Sequence, residues 1–156
     1  VLDGPDGNDI TLRPNQLLAV SLPHSPLNAE KQRLIVDQCT SALLTPYGLR
    51  SLASDHEDYV GRYGGDQSQR DGAYHQGAVW GWLIGPFVLA HLRVYHDPEL
   101  ARSYLQPLLR HLGDHGVGSI SEIFDGDPPF SARGCFAQAW SVAQILRAWQ
   151  LIGNSE

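Results

Sequence analysis

Methionine is absent from all 156 residues. The chain opens on Val1-Leu2-Asp3-Gly4, which reads as mid-domain sequence, and a piece of a longer protein is expected. Cysteine is nearly absent too: Cys39 and Cys135 stand alone, outside any Cys-x-x-Cys pair. Two such residues make no disulfide framework, and reduced thiols in a cytoplasmic protein are the simplest reading. No apolar run is long enough to span a bilayer, and no secretory signal is visible. Positive charge is in deficit, with 11 Lys and Arg against 17 Asp and Glu, a net charge of -6. Nucleic acid and anionic membrane both need a basic face, so neither is expected as a partner. Several motifs are missing as well. There is no Gly-x-Ser-x-Gly nucleophile turn, no phosphate-cradling glycine loop and no repeat of fixed period. The segments His56-Glu57-Asp58 and Asp3 to Asp9 hold ligand-type residues without EF-hand or zinc-site spacing, so no metal or cofactor is expected.

What remains is apolar enough, at 42%, to bury a sizeable core in one domain. The pattern predicts an all-α chain of five helices without a convincing strand. The first runs from about Asn15 to Leu22, stopped by Pro23 and Pro26. Asn28 is a good N-cap for the second, which ends at Pro46 and Gly48. A long loop follows from Tyr47 to about Gln76, rich in Gly, Asp and Tyr; loops of that length in a compact domain are commonly functional. The third helix is expected over Ala78 to Tyr95, apolar nearly all round and interrupted at Gly85-Pro86. The fourth runs from Pro98 to Leu112, with Leu100, Tyr104, Leu108 and Leu112 in one stripe. The fifth covers Phe136 to Ile152 and stops at Gly153. Short connections favour stacked αα-hairpins with antiparallel neighbours.

Alternation of direction puts the N-termini of the first, third and fifth helices on one rim. The most unusual polar segments precede those three helices: Arg13-Pro14-Asn15-Gln16, the run from Asp71 to Trp80, and the loop around Glu122. Glu122 lies among small residues in Gly118-Ser119-Ile120-Ser121-Glu122-Ile123-Phe124-Asp125-Gly126-Asp127-Pro128-Pro129. A carboxylate there has an open side and a rigid footing, as general-base chemistry requires.

The runs RPNQLLAVSLP, YGLRSL, RDGAYHQGAVW, GSISEIFDGDPP and GCFAQAWSVAQILR resemble the C-terminal part of glycogen debranching enzymes, from about Leu2 to Ile152. A weaker likeness to glucoamylase lies in the loop that carries the base. The resemblance implies part of an (α/α)6 toroid, the whole of 1–156 being a single, incomplete C-terminal portion of that six-hairpin glucosidase domain. It also implies a hydrolase that releases glucose from α-1,6-linked branch stubs of glycogen limit dextrin. Glycoside hydrolysis takes two carboxyl groups, and an inverting pair is about 6.5–9.5 Å apart to admit a water. Glu122 matches the base. The family's acid, an Asp, lies upstream, and nothing here matches its motif, so the isolated chain is expected to be inactive.

Around that base, Trp80 and Tyr74 would offer flat faces to a glucose ring, and His75, Gln76 and Asn15 would bind hydroxyls. Asp71 would bind hydroxyls too, or pair with Arg70. Each has a plainer reading. Trp80 and Trp140 could be core residues, Trp140 packing under the Glu122 loop. His75 could be a cap or core histidine and Asn15 an N-cap. Asp125 and Asp127 could be turn formers, and Asp55, Glu57 and Asp58 a solvated loop. The competing functions are a non-catalytic carbohydrate-binding fragment and another toroid glycosidase of glucoamylase or trehalase type. Helix faces left open by a partial toroid are expected to drive self-association.

Overall fold

The computed structural model describes residues 7–154. The Asp3 and Asp6 of the N-terminal ligand-type segment lie outside them. A 3₁₀ turn over Pro14–Leu17 leads into helix α1 (Leu18–Ser21). Helix α2 (Ala29–Ala42) starts where expected: Asn28 accepts the Lys31 N–H at 2.9 Å and satisfies one of the helix's orphan donors.

The strandless expectation needs correcting. Five short strands form one antiparallel sheet in chain order: β1 (Leu44–Thr45), β2 (Gly48–Arg50), β3 (Val79–Trp80), β4 (Ile123–Phe124) and β5 (Ala132–Arg133). Registers include Leu49 opposite Trp80, Trp80 opposite Ile123 and Ile123 opposite Arg133. Strands of two or three residues have too few positions for an alternating pattern to register. The chain is therefore helix-rich with a small sheet.

Other boundaries shift for identifiable reasons. The long loop contains helix α3 (Gln67–Ala73), opened by a capping box in which Asp66 and Gln69 each accept the other's N–H. Val79–Trp80 pairs in the sheet and Gly81–Leu83 forms a 3₁₀ turn, so helix α4 is Ile84–Tyr95. Pro86 sits in its first turn, where a missing N–H costs nothing, and so does not interrupt it. The expected fourth helix is two, α5 (Pro98–Ser103) and α6 (Gln106–His111), with Pro107 starting the second. Helix α7 spans Ala139–Gly153; Phe136 and Ala137 form a bend before it and Gln138, its N-cap, is extended, so the helix starts three residues later than expected.

Helix α4 is the central element, packed against α1, α2 and α7. Its Ile84, Phe87 and Val88 are fully buried with Leu17, Val36, Leu108 and Ile152. Among the described residues no helix is long and apolar enough to cross a membrane.

His91 lies in this core, 4% exposed, against the rings of Phe87, Tyr95 and Tyr104. Its Nδ1 has no hydrogen-bond partner, and burial pushes its pKa below 6.5, against the opposing pull of Asp97 and Asp37. Below pH 6.5 the unfolded chain therefore takes up a proton that the folded chain resists. Stability is full above that pH and falls as pH drops toward the lower, folded value. Urea midpoints at pH 7.5 and 5.5 check this: His91→Leu should flatten the difference, and an unchanged difference would refute it.

Candidate active site

The sheet carries Glu122 immediately before β4. Glu122 enters β4, and its backbone is held on both sides: its N–H donates to the Cys135 carbonyl at 2.8 Å and its carbonyl accepts the Gly81 N–H at 3.2 Å. The side chain, half-buried, is held as well. The Tyr74 hydroxyl donates to Oε1 in a short hydrogen bond, and the Cys135 N–H donates to Oε2 at 2.9 Å. A carboxylate has about four lone-pair sites. Two donors leave it room to accept a water proton. Among the described residues no cation pairs with it.

Gly134 is what keeps this arrangement open. Its φ of +65° is a left-handed value, and a Cβ there would lie 2.5 Å from Glu122 Oε2. Any side chain at 134 would collide with the carboxylate.

Tyr74 is therefore a partner of Glu122 before it is a platform for a ligand. Burial first, then its bond to Glu122 and that residue's charge, push its phenol pKa upward. It stays a donor throughout the physiological range. Its ring meets His75 at 4.9 Å and Trp80 at 4.6 Å, both edge-on. The carboxylate thus stands behind Tyr74, one ring away from the histidine and tryptophan.

Those two rings stack in parallel at 5.1 Å and face a cleft of about 310 Å³ lined by Arg13, Asn15, His75, Trp80, Trp82 and Trp140, among others. That volume is at the lower end for small-ligand pockets, roughly 300–1,000 Å³. Trp82 and Trp140 stack on each other at 4.1 Å, nearly parallel. The expectation that Trp140 is core under the Glu122 loop does not hold: it is 49% exposed and builds the cleft wall. Trp82 sits in a continuous apolar run of the expected third helix, where the sequence alone reads it as core.

Arg13 ties the first polar segment to the second. Its guanidinium donates to the His75 carbonyl at 2.7 Å, the Ser51 carbonyl at 3.1 Å and Gln76 Oε1 at 2.7 Å. Gln76 thus has its oxygen committed, leaving its NH₂ as a donor. Asn15 follows Pro14 inside the turn and caps nothing, so the N-cap reading fails; its exposed amide lines the cleft. His75 is exposed, neither cap nor core. Asp71 is exposed on α3 and does not line the cleft. The Arg70–Asp71 pair is not formed, since Arg70 donates to the Gly65 carbonyl at 2.6 Å.

The acidic residues after Glu122 differ in kind. Asp125 is buried and bidentate with Arg133, at 2.9–3.2 Å, and also accepts the Tyr63 N–H at 2.9 Å. It is a structural clamp rather than a turn former. Asp127 accepts the Tyr59 hydroxyl at 3.0 Å. His56 Nδ1 accepts the Asp58 N–H at 3.1 Å, and among the described residues no three His, Cys, Asp or Glu lie close enough to hold a metal ion.

Comparison with known proteins places this geometry in context. The family model described as amylo-alpha-1,6-glucosidase matches residues 1–147. A glycogen debranching enzyme of Saccharomyces cerevisiae is 29% identical over 169 aligned positions, taking in 92% of this chain and 11% of that protein. The chain thus spans a small fraction of the length of the relative it matches.

Proposed function

The chain belongs to the amylo-alpha-1,6-glucosidase family, and on that premise we propose that it carries the general-base side of an inverting α-1,6-glucosidase acting on the branch stubs of glycogen limit dextrin. The observation that carries the reading is Glu122, held by Tyr74 and Cys135 with lone pairs to spare, beside an aromatic cleft. In the proposed step Glu122 takes a proton from a water as that water attacks the anomeric carbon. A carboxylic acid on the far side gives its proton to the departing O6. By family resemblance that acid would be an Asp upstream of the segment 1–156. Trp80 and the Trp82–Trp140 pair would pack against the C–H faces of glucose rings, while Asn15, His75 and the Gln76 NH₂ take hydroxyls. Asp71, exposed on α3 and outside the cleft lining, would bind hydroxyls of a longer substrate.

One experiment separates this from its rivals. The full-length protein is incubated with limit dextrin in an NMR tube. Inversion releases glucose first as the β anomer. Release of α-glucose first would refute the mechanism, and hydrolysis of α-1,4 or α,α-1,1 glucosides alone would indicate a glucoamylase or trehalase type. A second reading, a carbohydrate-binding fragment without catalysis, is favoured by one fact: Glu122 is not among the residues lining the cleft. Binding without any glucose from the full-length protein would establish it.

The helices are proposed to be part of an (α/α)6 toroid. On α7, Leu146, Trp149 and Leu151 are 63%, 42% and 39% exposed along a helix whose other face is core. Leu146 and Trp149 flank the core-facing side on one edge and Leu151 on the other, and exposed apolar side chains of this kind favour association. The isolated chain is expected to self-associate in light scattering at high concentration, and a monodisperse monomer would contradict this.

A further inference from the structure

Ser121, immediately before Glu122, is 1% exposed and His111, at the end of α6, is 3% exposed. His111 Nε2 lies 3.0 Å from Ser121 Oγ and 3.4 Å from the Ser121 N–H. A backbone N–H can only donate, so Nε2 is the acceptor and the ring proton is on Nδ1. That nitrogen faces Asp114 Oδ2 at 3.3 Å. The ring is fixed by Phe124 edge-on at 5.0 Å and Tyr47 at 5.8 Å. From the other side Ser141, buried in the first turn of α7, donates its hydroxyl to the Ser121 carbonyl at 3.3 Å.

Asp114, His111 and Ser121 have the order of a nucleophilic triad, but a serine closed to solvent attacks nothing. Their geometry does something else. It gives Ser121 a fixed N–H, hydroxyl and carbonyl, one residue from a carboxylate whose own two bonds only define its direction if its backbone does not rotate.

We propose that His111 is a positioning residue for Glu122, acting through Ser121. The inference rests on the reading of Glu122 as the base. A displacement of about 1 Å at a reacting group can cost on the order of 100-fold in rate. Loss of the acceptor at 111 should therefore lower kcat and leave ligand binding in the aromatic cleft alone. The test uses the full-length protein with limit dextrin, and non-hydrolysed glucan oligomers for binding. His111→Phe keeps the ring packing without the acceptor; kcat is expected to fall about 10- to 100-fold, with KM and oligomer binding within about threefold. His111→Gln offers an amide oxygen to Ser121 and should recover most of the loss, which a purely volumetric role would not allow. Should His111→Phe fail to fold, Ser121→Ala removes one of the two bonds and should lower kcat severalfold at constant KM.

Wild-type kcat in a folded His111→Phe or Ser121→Ala protein would overturn the proposal. So would a Gln variant no better than Phe, or a loss confined to KM. Glu122→Gln run alongside separates the two levels: if it is inactive, the base assignment stands whatever His111 does, and if it turns over normally, both fall.

Discussion

Glu122→Gln in the full-length protein should lose glucose release from limit dextrin by about 100- to 10,000-fold, the usual contribution of a positioned base. The amide has nearly the shape of the carboxylate but no capacity to take a proton from water. Its oxygen can still accept from the Cys135 N–H, while its NH₂ can only donate, so the Tyr74 hydroxyl must turn from donor to acceptor. Both bonds lose their charge assistance, and a stability cost of up to about 1 kcal/mol should accompany the loss of rate. Binding should persist, because the cleft is walled by Trp80, Trp82 and Trp140 rather than by Glu122. The informative pattern is thus a collapse of kcat with little change in oligomer affinity. Turnover within about threefold of wild type would remove Glu122 from the mechanism, since a base contributes far more than that.

The largest effect on stability is expected at Arg133. Its guanidinium is 43% exposed, whereas the Asp125 carboxylate it clamps is 5% exposed. Removing one partner of an ion pair costs what the survivor must then endure. Arg133→Ala leaves a buried carboxylate with only the Tyr63 N–H, and should cost about 2–4 kcal/mol, somewhat below the range for fully buried pairs. Asp125→Ala leaves a cation that water already reaches, together with the Tyr63 N–H, and should cost about 1–2 kcal/mol. The double variant should resemble Asp125→Ala alone. Urea midpoints with unchanged slopes measure all three. An Arg133→Ala cost below that of Asp125→Ala would contradict the argument. The clamp also joins β4 to β5 three residues from Glu122, so the same variants should loosen the site and lower turnover.

How much of this could be read in advance depended on the length of the pattern. Helix α2 has a cap, fourteen residues and an apolar face, and its start was legible from Asn28. Strands β3 and β4 have two residues each and carry no period, yet they set the register that brings Trp80 beside the Glu122 segment. The gathering of the Arg13 segment with His75 and Gln76 followed from expecting three polar segments at one end of the helices. Its actual agent, the Arg13 guanidinium, needs three partners drawn from two distant segments and cannot be inferred from spacing. Trp82 was hidden in an apolar run where nothing distinguishes a cleft wall from core. The Tyr74 ring is legible in the sequence as a flat face for a sugar, whereas the destination of its hydroxyl, the Glu122 carboxylate, is not. The Asp66–Gln69 capping box was a readable signal inside the long loop, and it marks α3. Gly134 could be read only once its neighbour's carboxylate was located.

The central claim is that the Glu122 carboxylate, and no other group, draws the proton from the attacking water. Azide needs no base, and Glu122→Ala leaves space for it beside Tyr74. In the full-length Glu122→Ala protein, added azide should restore cleavage of an activated α-glucoside and yield β-glucosyl azide. An absence of rescue in a folded variant that still binds glucan, or an α-configured product, would contradict the account.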